Sequence, residues 1–282
     1  MTRGFFTLTQ GEQYIRCAYA LALSLKLTQP TNYNLSIGIT PGDTVLDKYR
    51  QAFDQVIEIP WEDHAANSTW KRENEWKSVY MTPYDHTIKL DADMLFFEDI
   101  TTWWDILEQS DGVFATEVLT YRNTIATDTK YRQTFIANEL PNVYTAFFFF
   151  KKTPVVFELF KLAEEIFYNW ERYYGTYLEP ITRPKFVSAD VVFALAAKIL
   201  GFTDNNMRPK SGIPTFVHMK THLQGWDNPN HSEDWTQLVP QYFTPECNCK
   251  IGIYTQVSPF HYHQKHFLTD EIIGYLEKKV GI

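Results

Sequence analysis

Thr87-Ile88-Lys89-Leu90-Asp91-Ala92-Asp93-Met94-Leu95-Phe96 is the stretch whose reading decides the fold. Residues 87–90 read as a strand that runs straight into two carboxylates one residue apart, after which the chain turns apolar again. In open α/β sheets, ligands bind beyond the carboxyl ends of the strands. Two acidic side chains this close repel each other unless a cation sits between them. Hard divalent cations such as Mg²⁺ and Mn²⁺ take carboxylate and diphosphate oxygens together. The expected occupant is therefore a metal that neutralises a nucleotide diphosphate. An Asp-x-Asp pair also occurs in solvated turns that cap a following helix. The apolar strand before it, with Met94-Leu95-Phe96, Asp99-Ile100 and a helix after it, favours the metal.

Upstream, residues 4–9 are a short apolar run, read as a first strand, and Gln10-Gly11-Glu12 is a turn. Tyr14, Cys17, Ala18, Leu21 and Leu25 carry helical spacing over residues 14–27, ended by Pro30. A second strand at 35–39, a short helix at 47–53 and a third strand at 55–59 follow. This β-α-β-α-β order implies an α/β protein with a parallel, twisted sheet and helices on both faces. Residues 67–80, polar with Trp70, Trp76 and Tyr80 interspersed, read as a helix before the Asp-x-Asp strand.

Downstream, the pattern predicts a helix at 102–108 and a strand at 112–117. A polar connection over 119–142 follows, of a length that often forms a functional lid. An all-apolar strand at 143–150, an amphipathic helix at 154–170 and a helix at 188–200 stopped by Gly201 come next. A strand end at 216–218 leads into a tail rich in Pro, Asn and His, closed by a helix at 270–279. There is no internal repeat and no linker, so residues 1–282 are expected to form a single domain.

Composition narrows the classes. With 44% hydrophobic and 21% charged residues the chain reads as globular rather than disordered. Aromatic residues reach 16%; they fill cores and also line sugar and base sites. The net charge is -8, and no basic run exceeds Lys71-Arg72 or Lys278-Lys279, which argues against a nucleic-acid-binding module. The acidic balance suits a site that collects a divalent cation. Three cysteines, an odd and sparse count, fit a reducing compartment. Cys247-Asn248-Cys249 lacks the spacing of a zinc pair. The first residues lack a signal-peptide core, and no apolar run approaches the about 20 residues that span a bilayer. A cytoplasmic location without membrane contact is expected.

Leu90-Asp91-Ala92-Asp93-Met94-Leu95 resembles the Asp-x-Asp segment of the glycogenin-like glycosyltransferases. Thr7-Leu8-Thr9-Gln10-Gly11-Glu12-Gln13-Tyr14 and the small-residue helix from Ala18 to Lys26 resemble that family's nucleotide-binding first strand and helix. Tyr144-Thr145-Ala146-Phe147-Phe148-Phe149-Phe150 is similar to its acceptor-side strand, and the resemblance covers most of residues 4–226. It implies a GT-A fold, a Rossmann-like twisted mixed sheet flanked by helices. Residues 1–118 would be the nucleotide-sugar-binding half and 119–282 the acceptor-side half. It implies transfer of a sugar from a UDP-sugar to a hydroxyl, with Mn²⁺ or Mg²⁺ and with retention. Sequences of this type also resemble those of bacteriophage genomes, which would make the compartment the host cytoplasm.

Carried over residue by residue, the resemblance puts Thr7, Leu8 and Thr9 against nucleobase and ribose. Tyr14 either stacks on the base or is the first core residue of its helix. Asp91 contacts ribose and metal, Ala92 lies between the two acids in the donor site, and Asp93 is the stronger ligand. The family's His-x-x-Gly-x-x-Lys-Pro-Trp pattern finds its nearest match in Phe216-Val217-His218-Met219-Lys220 with Gln224-Gly225-Trp226. His218 would then be the third metal ligand, through a neutral imidazole nitrogen, and Lys220 would neutralise the leaving diphosphate. The family's Gly and Lys-Pro do not align here. A rival is His261 with His263, which would share one side of a strand; a polar surface strand is the plain alternative. Lys71, rather than Arg72 or Lys77, would reach the donor sugar and phosphate from the preceding helix. Ser188-Ala189-Asp190-Val191 resembles the family's Asp-Gln segment, with Val191 where the family has Gln. Asp190 would bind sugar hydroxyls or stabilise charge at the anomeric carbon, unless it and Ser188 merely cap their helix.

The acceptor is not legible: glycan, protein, small molecule and modified base of viral DNA all stay open. Two other classes compete. A nucleotidyltransferase also joins carboxylates, metal and nucleotide, but Gln10-Gly11-Glu12 is poor in Gly for its phosphate loop. A carbohydrate-binding or virion-associated protein of the same fold is favoured by Val191 and disfavoured by the intact Asp91 and Asp93.

Overall fold

The computed structural model describes residues 1–31, 33–63, 65, 71–126, 132–202, 212–219, 235–246 and 248–282, with residues 71 and 72 described in their backbone only. In chain order the first elements are β1 (Arg3–Leu8), α1 (Gly11–Thr28), β2 (Leu35–Ile39), α2 (Asp47–Arg50) and β3 (Val56–Glu58). A 3-10 segment (Lys71–Lys77) continues into α3 (Ser78–Met81), followed by β4 (His86–Leu90), β5 (Met94–Leu95), α4 (Thr101–Leu107) and β6 (Gly112–Ala115). Next come α5 (Gln133–Ala137), β7 (Tyr144–Lys151), α6 (Pro154–Tyr168), α7 (Trp170–Tyr177), α8 (Ala189–Ile199) and β8 (Val217–His218). The last elements are α9 (Trp235–Leu238), β9 (Gln241–Phe243), β10 (Cys249–Ile251), β11 (Tyr254–Thr255), β12 (Phe260–His261) and α10 (Asp270–Val280).

The central sheet has six strands in the order β3-β2-β1-β4-β7-β6. β1 to β4 run parallel, and β7 is antiparallel to both of its neighbours. The protein is therefore α/β, with a mixed, mostly parallel sheet flanked by helices. The all-apolar run of β7 follows from burial on both faces, since alternate residues of a strand point to opposite sides. Phe147 and Phe149 join the core under α1 and α4. Phe148 and Phe150 join the core under α6 and α8. On that second face Phe148 stacks on Phe114 at 3.7 Å, and Phe193 and Phe160 pack around it. Small residues Ala18, Ala20 and Ala22 keep α1 close to the sheet, and its outer side is covered by α10, where Glu277 accepts from the Tyr19 hydroxyl at 2.9 Å.

Two features next to the sheet matter for the site. Between Phe114 and Ala115 the β6–β7 register jumps from Phe148 to Tyr144. A bulge of this kind re-aims backbone groups, and here the Thr145 N–H is left to bond a side chain. A second, three-stranded sheet, β5-β12-β8, hangs from the end of β4. It pairs His261 with Met94 on one side and with His218 on the other.

Several elements differ from the periodicity reading. The predicted helix at 67–80 is, over its described part, a 3-10 stretch ending in one α turn; polar residues with scattered aromatics provide no continuous apolar stripe. The helix predicted over 154–170 stops at Tyr168, and α7 follows at once. The tail rich in Pro, Asn and His carries β9 to β12, whose two- and three-residue strands are too short to leave a period. Among the described residues no helix is long and apolar enough to cross a membrane. Cys17 and Cys249 are buried, and Cys247 lies outside the described residues.

Candidate metal centre

The acidic pair begins where β4 ends. The Asp91 N–H donates to Ala146 of β7 at 3.0 Å, which anchors the turn to the sheet. Asp93 is held from the other side, because its carbonyl accepts from the Tyr262 N–H at 3.2 Å. That bond and the β5–β12 pairing bring in His261, whose Nε2 stands 3.0 Å from Asp93 Oδ2 and 3.8 Å from Asp91 Oδ2. One ligand atom each from Asp91, Asp93 and His261 lies within 4.8 Å of the others. Two carboxylate oxygens and one imidazole nitrogen at this spacing fit a divalent cation such as Mn²⁺ or Mg²⁺.

Asp93 is buried, and burial alone raises a carboxyl pKa. His261 and Lys265 overcome this and hold the group well below the usual carboxylate range. Lys265 places its ammonium 2.5 Å from Asp93 Oδ2 and 2.8 Å from the His263 carbonyl, above the Tyr14 ring at 5.2 Å.

The imidazole that meets the acids is thus that of His261, not that of His218. His218 touches the far side of the His261 ring, Nδ1 to Nδ1 at 3.0 Å. The physical reason is strand order: β12 lies between β5 and β8, so the β8 residue is one strand further out. His263 has a left-handed backbone (φ 58) beyond the end of β12, so it is not on a shared strand face with His261, yet its side chain still lines the cavity.

That cavity, of about 430 Å³, opens beside the acids. Its lining includes Leu8 and Thr9 at the end of β1, Tyr14 of α1, and Asp91, Ala92 and Asp93. Glu75, Thr145 and Ser188-Ala189-Asp190 also line it, as do His261, His263 and Lys265. Thr7 is not among the lining residues; it is fully buried inside β1. Thr9 lines the cavity while its hydroxyl donates to the Gly38 carbonyl at 3.0 Å.

Asp190 stands in the first turn of α8 and is gripped from two sides. Its Oδ1 accepts from the Thr145 N–H at 2.9 Å and the Thr145 hydroxyl at 2.8 Å; its Oδ2 accepts from Arg132 at 3.0 Å. Arg132 lies between the Phe135 and Tyr144 rings, 3.6 and 4.0 Å from their centroids, and also donates to Asn142 and the Val143 carbonyl. Ser188 makes no side-chain cap. Val191, the departure next to Asp190, faces the core and not the cavity.

Lys220 lies outside the described residues, as does the Lys71 side chain. Lys77 turns away to the Glu62 carbonyl. In addition to Lys265, the described site contains Lys89, whose Nζ is 2.5 Å from Glu75 Oε2, 3.0 Å from Asp91 Oδ1 and 3.4 Å from the Thr145 carbonyl. Burial works against its charge, but Glu75 and Asp91 prevail and raise its pKa. Burial raises the Glu75 carboxyl, with Lys89 opposing it and Asp91 adding to it. Lys89 had a signal in the sequence: a lysine inside an apolar strand buried on both faces requires a carboxylate partner. For Glu75, Arg132 and Lys265 no local pattern exists, because their partners are distant in the chain.

No protein-family model matches the sequence, and no match was found among curated proteins. Similar solved structures include the apo form of the glycosyltransferase GlyE of Streptococcus pneumoniae TIGR4, at 10% identity and TM-score 0.42 over 75% of this chain. Another GlyE structure aligns at 11% identity and TM-score 0.42 over the same share. The galactosyltransferase LgtC, in complex with donor and acceptor sugar analogues, aligns at 14% identity and TM-score 0.43, over 68% of this chain and 70% of that one. This chain spans 46% of the GlyE chain, less than half of its length. Similarity at this level assigns no activity.

Proposed function

We propose that this protein is a metal-dependent glycosyltransferase of the GT-A type that takes a nucleoside-diphosphate sugar, a UDP-sugar by preference, as donor. The observation that carries this reading is the Asp91–Asp93–His261 donor set at the carboxyl end of β4, opening on a cavity that also holds Asp190. A cation on these three residues, Mn²⁺ or Mg²⁺, would supply Lewis-acid stabilisation of the diphosphate oxygens. Lys265 swings from Asp93 to the diphosphate and neutralises charge as the sugar leaves. Tyr14, Leu8 and Thr9 form the platform for nucleobase and ribose. A cavity of about 430 Å³ lies within the range of about 300–1,000 Å³ typical of small-molecule sites.

Asp190 is the group that meets the sugar. Thr145 and Arg132 fix its orientation, so that it accepts from sugar hydroxyls and faces positive charge developing at the anomeric carbon. The acceptor hydroxyl attacks on the diphosphate side, which yields retention. The same reading treats residues 1–282 as one domain, with 1–118 holding the donor and 119–282 framing an acceptor whose class stays open. Nucleoside diphosphate release from a panel of nucleotide sugars with Mn²⁺ tests it without any acceptor. Release from one donor, lost with a chelator and in Asp93→Ala, is expected; no release from any donor overturns the reading.

A further inference from the structure

We propose that His218 is a positioning residue for the metal centre. It accepts a hydrogen bond from His261 Nδ1 and so selects the tautomer that leaves His261 Nε2 free to bind a cation. The inference rests on the metal reading above.

The two Nδ1 atoms are 3.0 Å apart, so one of them carries a hydrogen and the other a lone pair. On the opposite edge of its ring, His261 Nε2 faces Asp93 Oδ2 at 3.0 Å. A carboxylate only accepts, so without a cation a neutral His261 donates from Nε2 and its Nδ1 accepts from His218. With a cation on Nε2 that atom must offer its lone pair. The proton of neutral His261 then resides on Nδ1, and His218 turns acceptor at Nδ1 and carries its own proton on Nε2. With both rings neutral, each keeps one proton throughout and only the direction of the bond reverses. A side chain that both donates and accepts at this spot makes either state possible, which an aliphatic side chain does not.

Its surroundings hold His218 to this task. Both imidazoles are buried, at 4% exposure each, so bulk water is a poor substitute partner. The His218 ring is set edge-on by Tyr144 and Phe216 at 5.9 and 5.6 Å. Its backbone is fixed by the β8–β12 pairing, with the His218 N–H donating to Leu119 at 2.9 Å and the Met219 N–H donating to His261 at 3.0 Å. Partners in this outer position typically change metal affinity by about 10–100-fold when removed.

The test measures Mn²⁺ affinity of the whole chain by electron paramagnetic resonance of the free ion, without nucleotide sugar. His218→Leu is expected to weaken binding by about 10–100-fold, and His218→Asn, whose side-chain oxygen accepts from Nδ1–H, to restore most of it. In parallel, ¹⁵N imidazole spectra of the unaltered protein with Zn²⁺, a diamagnetic probe, are expected to show His261 protonated on Nδ1. Equal affinity in wild type and His218→Leu overturns the inference, as does a proton on His261 Nε2 in the loaded protein. If His218→Leu fails to fold, the spectra and His218→Asn still decide. A wild-type protein that binds no Mn²⁺ overturns the metal reading itself, a result distinct from binding that ignores His218.

Discussion

Lys89 and Glu75 form an ion pair inside the protein, with Nζ 2.5 Å from Oε2 and the lysine side chain 3% exposed. It joins the 3-10 segment before β4 to the strand that presents the acidic pair. Breaking a buried pair by removing one partner leaves an uncompensated charge, which costs about 3–5 kcal/mol. Lys89→Met is therefore expected to lower unfolding stability by about that amount in urea titrations. Adding Glu75→Gln to it should recover part of the loss. A double variant no more stable than Lys89→Met would show that the pair contributes nothing to the cost.

Lys265 occupies Asp93 from the solvent side of the same cavity. Lys265→Ala removes a cation that competes for Asp93, so Mn²⁺ binding without nucleotide is expected to hold or tighten. Nucleoside diphosphate affinity should fall by about 1.5–3 kcal/mol, the worth of a hydrogen bond to a charged group, or roughly ten- to a hundredfold. Calorimetric titration with Mn²⁺ and then UDP separates the two effects; a parallel loss of both would remove Lys265 from the diphosphate role.

Arg132 reaches Asp190 only through a planar fork that also serves Asn142 and the Val143 carbonyl. Lysine lacks that fork. Arg132→Lys is expected to lower kcat for donor hydrolysis by up to about a hundredfold, the cost of misplacing a reacting group by about 1 Å. KM should change little. Unchanged kcat would mean that Thr145 alone sets the carboxylate.

Acid stability should depend on Glu108 at the edge of the sheet. Partial burial pushes its carboxyl up, but hydrogen bonds from Arg3 and His86 prevail and the net shift is downward. A lowered carboxyl stabilises the fold above its ordinary value of about 4.3, and that contribution is lost as pH falls through the folded-state value beneath it. Urea midpoints measured from pH 6 down to about pH 3 should therefore drop more steeply in wild type than in Glu108→Gln. Parallel curves for the two proteins would contradict this.

Much of the fold follows from local pattern. The apolar strand ending in Asp91-Ala92-Asp93 and the small-residue helix after β1 are written in contiguous residues, where period and end signals act directly. So is β7, whose unbroken apolar run requires burial on both faces. The short strands of the tail are not legible this way, since two or three residues carry no period.

The division is sharpest at the imidazole. Local sequence offers both His218 and His261 as candidates and favours His218, through the likeness of Phe216-Val217-His218 to the family's His pattern. Which one meets the acids depends on pairing between Phe260–His261 and Met94–Leu95, residues more than 160 positions apart, as the His261–Asp93 separation of 168 makes plain. Likewise Lys89 announces a need for a carboxylate, but only the packing of the 3-10 segment supplies Glu75. Sequence by itself determined the α/β class and the position of Asp91 and Asp93, because periodicity, chain breaks and strand ends are local properties. Tertiary structure decided the partners that complete the site, His261, Lys265, Glu75 and Arg132, because strand order and side-chain charge pairing are set by contacts between distant segments.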